Sequence, residues 1–245
     1  MPTPVIGIKA IVVGASSGIG EEIARQIAEG GGFVATVARR TDRMQPLADR
    51  FPERVFPFGH DVRDIDEVPE LFQKCTDALG GLDLIVYCAG VMPPVGPHEY
   101  NTEKDLSMIA INNVGAVAWL NAAATRMEAA GHGSIIGIGS VAGDRGRFGQ
   151  PVYNASKAFL HTYLEALRNR LAKKGVKVVT IKPGPTATEM TADLNLKGAM
   201  PAPVAAAKII ALKDRTGEHY LKFAHRIVFA VIKAIPSPIF RRLKV

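Results

Sequence analysis

Tyr153 and Lys157 are four residues apart, a spacing that sets two side chains one turn apart on the same face of a helix. A phenol alone is a poor acid–base catalyst near neutrality, because its reference pKa is about 10. A fixed ammonium beside it favours the phenolate and lowers that value, so the pair can pass a proton to or from a bound oxygen. Ser140 stands thirteen residues before Tyr153, at the end of the apolar run SIIGIGS. A strand there delivers its hydroxyl to a sheet edge, where it can donate a hydrogen bond to a substrate oxygen. Tyr-x-x-x-Lys by itself also occurs as a half-buried aromatic beside a solvated lysine, so its meaning depends on the elements around it.

Those elements alternate. Lys9 to Val13 is a short β-branched run that ends in Gly14, Gly18 and Gly20, with Ser16, Ser17 and Ile19 between them. Ile23, Ala24, Ile27 and Ala28 then recur at helical spacing, which predicts a strand, a glycine turn and an amphipathic helix. Glycines in such a turn let the backbone approach a pyrophosphate, while free N–H groups and the helix dipole hold the anion. The second strand, FVATVARR, ends at Ala38, Arg39 and Arg40 with no carboxylate. An acid at that place would bond the ribose hydroxyls of NAD. Two guanidinium groups suit a 2′-phosphate instead, so the pattern favours NADP(H) over NAD(H).

Further along, RVFPFGHDV ends a third strand at Asp61 and Val62, and a helix is expected from Val68 to Leu79. LDLIVYCAG ends a fourth at Ala89 and Gly90, before a proline-rich loop. A long helix is expected from about Thr102 to Ala129; it carries Asn112 and Asn113, whose amides need partners if they are buried. A strand from Ser134 to Ser140, the Tyr153 helix running towards Lys174, and the strand VKVVTIK before Pro183 and Gly184 complete the alternation. The fold class is therefore α/β, a doubly wound parallel sheet with ligands at the C-terminal ends of the strands. Gly14, Arg39, Asp61, Gly90, Ser140 and Gly184 all fall at such ends.

The 245 residues suit a single domain, residues 1–215 forming its nucleotide-binding and catalytic body and 216–245 a last strand and a basic tail. Apolar residues make up 47% and charged residues 22%, which is ordinary for a soluble globular chain. Cys75 and Cys88 are the only cysteines, and they form no CxxC or Cys/His ligand spacing, so neither a disulfide scaffold nor a metal site is expected. The apolar start lacks a basic region and a cleavage site and reads as a strand, not a signal peptide. A reducing, cytoplasmic compartment fits these features. The net charge of +7 is concentrated at the C-terminus, where no acid follows Glu218. That tail has no aromatic interleaving, so nucleic-acid binding is not expected.

Taken together, from about Ile8 to Ala211, these residues resemble the short-chain dehydrogenase/reductase family in its subgroup of about this length. The likeness rests on GxxxGxG at Gly14, Gly18 and Gly20, on Asp61-Val62, on Ala89-Gly90, on Asn112, on Ser140, Tyr153 and Lys157, and on Pro183-Gly184 followed by Thr188. It implies a Rossmann-type fold in which Tyr153 is the acid–base residue and Lys157 lowers its pKa and bonds the nicotinamide ribose. Ser140 would polarise the substrate oxygen, and Asn112 would hold a water that links Lys157 to solvent. Asp61 would contact the adenine, and Thr188 with the backbone near Pro183 would anchor the carboxamide. The Arg39 position resembles that of the NADP-preferring members, and a homodimer or homotetramer through the long helices is implied. Val13 departs from the family's usual threonine, and Tyr87-Cys88 replace its paired asparagines. Cys88 reads as a packed thiol, not a nucleophile.

The expected activity is NADP(H)-dependent reduction of a ketone or aldehyde, or the reverse. An NAD-dependent alcohol dehydrogenase and a non-catalytic nucleotide sensor are the alternatives. The loop Thr191 to Ala199 is expected to lid the substrate. From His225 to Ile235 the tail fits an amphipathic helix, too short to span a bilayer. It would cover the cleft or a subunit face, or lie on an anionic membrane and admit lipid-like substrates. Its ending, IPSPIFRRL, resembles that of family members acting on lipid-linked ketones.

Overall fold

Parallel strands buried on both faces need continuous apolar runs, and Ala10 to Val13 in the first strand are fully buried. The computed structural model describes residues 5–194 and 197–243. Strand β1 (Lys9–Val13) leads through the glycine turn to α1 (Gly18–Glu29). Then follow β2 (Phe33–Ala38), a short α2 (Gln45–Arg50), β3 (Val55–Gly59), α3 (Val68–Leu79) and β4 (Leu84–Tyr87). Helices α4 (Thr102–Ile109) and α5 (Gly115–Ala130) precede β5 (Gly133–Ile138), α6 (Pro151–Leu171) and β6 (Val176–Lys182). A two-residue pair, β7 (Thr186–Ala187) and β8 (Met200–Pro201), comes before α7 (Ala202–Ile210), β9 (Gly217–Tyr220), α8 (Phe223–Ala234) and α9 (Ser237–Phe240).

The main sheet has seven strands in the order β3-β2-β1-β4-β5-β6-β9, parallel throughout. The order reverses between β1 and β4, where Val12 pairs with Val86, and ligands of such sheets bind in the crevice beyond that reversal. One face packs α3, α5 and α6 through Phe72, Trp119 and Leu164. The other packs α1 and α7 through Ile23, Ile27 and Ile209.

The expected helix from about Thr102 to Ala129 forms as one helix, Thr102–Ala130, but it is not regular throughout. Between α4 and α5 the backbone widens into a π turn, Ala110–Val114, the kind of local expansion that recurs at functional sites. Its cause lies outside the helix: the buried Tyr87 hydroxyl donates to the Ile111 carbonyl at 2.8 Å, and the buried amides of Asn112 and Asn113 bond to neighbouring elements. The residue that departs from the paired asparagines is thus a strut under the π turn. The strand expected to reach Ser140 ends at Ile138, and the Tyr153 helix ends at Leu171, short of Lys174.

The tail helix forms, as α8. Phe229 and Phe240 are buried, whereas Ile227, Val228 and Val231 remain exposed.

Replacing Tyr87 by Phe leaves the Ile111 carbonyl buried without this donor, a loss of about 1–3 kcal/mol. Urea denaturation of Tyr87→Phe is expected to show that drop, and unchanged stability would refute the strut.

Candidate active site

The glycine turn is shaped by close approach. Gly14 has φ of 91° and Gly18 of 60°, values that favour glycine. A Cβ on Gly14 would fall 2.5 Å from the Ala89 nitrogen, one on Gly18 3.1 Å from Cγ2 of Thr188, and one on Gly20 against the Gly14 carbonyl oxygen. The turn, the Ala89-Gly90 end of β4 and the Thr188 loop, which are far apart in sequence, therefore meet at one place. Ile19 packs its side chain on the core below.

At the end of β2 the two arginines diverge. Arg40 donates from Nη2 to Ser17 Oγ at 2.9 Å and Ser16 Oγ at 3.3 Å. From Nη1 it reaches Glu189 at 3.1 Å, which Arg43 also pairs. Arg39 turns to Asp61 at 3.8 Å. Arg40, not Arg39, is thus the guanidinium on the glycine turn. Arg63 also donates to the Asp61 carboxylate, at 2.6 Å for the Nη2 bond. Those bonds hold the carboxyl below the ordinary aspartate range. Val62 behind it is buried.

A bare glycine cradle at a helix N-terminus, flanked by serine hydroxyls and a guanidinium at the sheet's reversal, fits a dinucleotide with its phosphates on the turn. Among the described residues no group of three His, Cys, Asp or Glu side chains could hold a metal.

Across the reversal lie the acid–base candidates. Ser140 precedes a 3-10 turn, Val141–Asp144, and its Oγ accepts from the Ala142 N–H at 3.1 Å, which leaves its own proton free to be donated. Tyr153 lies in the first turn of α6, which starts at Pro151, where the missing N–H costs nothing. Gln150 before it adopts φ of 57° and donates from its side chain to the Pro93 carbonyl at 3.2 Å, which ties the proline-rich loop to the Tyr153 helix. Positive φ at a non-glycine residue is strained.

Lys157 is buried, 5.7 Å from the Tyr153 ring centre, and donates to the Ile138 carbonyl at 3.0 Å. Burial lowers its pKa to about 8. Burial also dominates at Tyr153 and raises its pKa, against the pull of the Ser140 hydroxyl and of Arg147. Desolvation sets the direction at Tyr153, and the groups that oppose it are Ser140 and Arg147.

Asn112 joins the two halves. Its Oδ1 accepts from the Val91 N–H at 2.8 Å, and Nδ2 donates to the Val91 carbonyl and to Ser156 Oγ, both at 3.1 Å. A Cβ on Gly90 would lie 3.3 Å from Asn112 Oδ1 and 3.5 Å from Lys157 Nζ, so the end of β4 fits closely over both. Pro183 accepts from the Val141 N–H at 3.0 Å. Thr188 bonds to Thr191 through its N–H and hydroxyl. The expected lid, Thr191 to Ala199, falls partly outside the described residues. Burial raises the Cys88 thiol to about 12, so it is neutral at pH 7, as a packed thiol should be.

Asn113, whose amide is expected to need a partner if buried, donates to the Ser156 carbonyl at 2.8 Å. Other residues of this constellation escaped the sequence reading. His161, pushed down to about 3 mainly by burial, is a neutral ring whose Nε2 accepts from the Ser140 N–H at 3.4 Å. Lys182, 1% exposed, bonds to Asp144 and Glu218 at 2.7 Å each, and Tyr220 donates to Asp144 at 2.6 Å. The available signals were spacing ones: His161 is four residues after Lys157, and Asp144 four after Ser140.

A parallel sheet with a glycine cradle on one side of its reversal and a Ser-Tyr-Lys group on the other defines a dinucleotide-dependent acid–base site. Residues 9–198 match the short chain dehydrogenase family. An uncharacterized oxidoreductase of Staphylococcus aureus (strain MRSA252) is 35% identical over 83% of this chain and 90% of its own. Another, from Myxococcus xanthus (strain DK1622), is 34% identical over 96% and 97%. A short-chain type dehydrogenase/reductase from Mycobacterium marinum superposes with a TM-score of 0.80, at 26% identity over 90% of this chain and 96% of its own. The chain belongs to the short-chain dehydrogenase/reductase family, whose common activity is NAD(P)-linked hydride transfer.

Lys157 gives the site a pH signature. Its folded pKa of about 8 lies below the ordinary 10.5, so between those values the unfolded chain holds a proton that the folded chain has released, and stability rises with pH. The ligand-free enzyme is expected to gain stability across that window relative to Lys157→Met, as read by urea denaturation at stepped pH. Parallel profiles for the two proteins would contradict it.

Proposed function

We propose that this protein is an NADP(H)-dependent carbonyl reductase in which Tyr153 protonates the ketone or aldehyde oxygen. The observation that carries this reading is the meeting of Ser140, Tyr153 and Lys157 with Asn112 and the glycine turn at one sheet edge. The bound nicotinamide supplies the hydride. Ser140, whose Oγ already accepts from the backbone, donates its proton to the substrate oxygen and orients it. Tyr153, protonated near neutrality and with its pKa raised by burial, gives its proton to the more basic developing alkoxide. Asn112 holds Val91 and Ser156 in place, and Lys157, 5.7 Å from the Tyr153 ring centre, can return a proton.

NADP(H) is preferred over NAD(H) because the end of β2 has no carboxylate and Arg40 lies on Ser16 and Ser17, where a 2′-phosphate would sit beside the adenosine ribose. Glu189 shares that guanidinium, so a phosphate entering there competes with a carboxylate for it. An NAD-dependent dehydrogenase would lack its usual ribose acceptor here, and a non-catalytic sensor would have no use for the proton-handling set. The two free cysteines agree with a cytoplasmic setting.

Steady-state assays with NADPH and a panel of ketones and aldehydes test the reading. Tyr153→Phe is expected to lower kcat by about 10²–10⁴-fold with NADPH affinity unchanged, and retained turnover would exclude Tyr153 as the acid.

A homo-oligomer is supported by an apolar groove across α4, α5 and α6, lined by Ile109, Val114, Val117, Ala155 and Phe159. Ile109, Val114 and Phe159 are exposed in the single chain. Pairing these helices with a second copy would bury them in a homodimer. Light scattering of Val114→Asp/Phe159→Asp is expected to give monomers where the wild type gives dimers or tetramers. An assembly unchanged by the double variant would place the interface elsewhere.

A further inference from the structure

The inner side of the C-terminal segment is fastened to the catalytic body. Arg145 donates from Nη1 to the carbonyls of Ile232 at 3.1 Å and Lys233 at 2.9 Å, and its guanidinium covers the Phe240 ring at 4.4 Å. Phe229 is buried beneath α8, and His225 rests against Gly184. The segment has thus already used one face, and what it shows to solvent is a second one.

That outer face is apolar. Phe223, Ile227 and Val231 recur every four residues along α8, which aligns them in one row, and they are 73%, 53% and 60% exposed. Val228 lies in the adjacent row at 48%. The exposed Ile239 and Leu243 follow in the α9 region. Contiguous exposed apolar surface of this kind marks an interaction site.

Charge selects the partner. Arg226 borders the row, and Arg241 and Arg242 are exposed just beyond α9; Lys233, on the same border, turns inward to Asp144 at 3.5 Å. No acid follows Glu218 in the chain. A second copy laid face to face on this surface would bring like charges together, whereas an anionic bilayer complements both the apolar row and its basic border. A helix of 12 residues cannot cross a bilayer but can lie in its interface.

We propose that the outer face of α8 and α9 docks the enzyme on anionic lipid surfaces. The helix lies in the headgroup plane, with Phe223, Ile227 and Val231 towards the acyl chains and the arginines on lipid phosphates. The clamp from Arg145 connects that surface to the turn that begins at Ser140.

Flotation of the full-length protein with phosphatidylcholine vesicles, with and without about 30% phosphatidylglycerol, tests this. Two variants accompany the wild type, Ile227→Ser/Val231→Ser and Arg226→Gln/Arg241→Gln/Arg242→Gln, and NADPH binding by each verifies that it is folded. The expected result is retention on anionic vesicles that is weakened by salt and reduced about tenfold or more in either variant. No retention of the wild type on anionic vesicles would overturn the proposal, as would equal retention of all three proteins. Dissociation of the oligomer by Ile227→Ser/Val231→Ser, without any vesicle binding by the wild type, would also overturn it and would assign the face to a second copy.

Discussion

Three hydrogen bonds made by one buried amide hold the two halves of the site in register. Asn112 grips both the N–H and the carbonyl of Val91 and reaches Ser156 on α6. Its position depends in turn on the π turn that carries it and on the Tyr87 hydroxyl beneath. Loss of that amide would leave the part-buried N–H and carbonyl of Val91 without this partner, at a cost up to about 1–3 kcal/mol for each group that water does not reach. The chain can therefore accept an irregular helix here because the irregularity is satisfied from outside. The end of β4 is pinned over Lys157, whose amine has the Ile138 carbonyl and no carboxylate as its nearest partner.

A second polar cluster supports Ser140 from behind. Lys182 is enclosed by Asp144, Glu218 and the ring of Tyr220, and His161 accepts from the Ser140 N–H. A buried ion pair is weak evidence for stability, because desolvation offsets much of the attraction. Its use here is geometric: the turn after β5, the end of β6 and the last strand β9 are fixed to one another, and Arg145 extends the same turn to the tail. Ser140 and the C-terminal helices are consequently tied to one another through this turn.

The sheet was legible because its strands are apolar on both faces and its helices start and stop at glycines and prolines. Helix α3, Val68–Leu79, matches its apolar period, and the partners of Asn112 and Asn113 were required by burial. What was not legible depended on contacts distant in sequence. The π turn needs Tyr87, 24 residues away from Ile111. The choice of Arg40 over Arg39 depends on which guanidinium the glycine turn meets. The direction of the Tyr153 shift depends on how deeply α6 buries the phenol. The exposed side of α8 was hidden for the same reason, since its periodicity gives an apolar row but not which way that row faces.

The cofactor is where the account can be tested most directly. Calorimetric titration of NADPH and NADH into the wild type and Arg40→Gln separates the 2′-phosphate from everything else the two molecules share. The account requires NADPH to bind the wild type at least about tenfold more tightly than NADH, as a charge-assisted fork should, and that advantage to disappear in Arg40→Gln while NADH binding stays the same. Equal affinities in the wild type, or tighter binding of NADH, would contradict it.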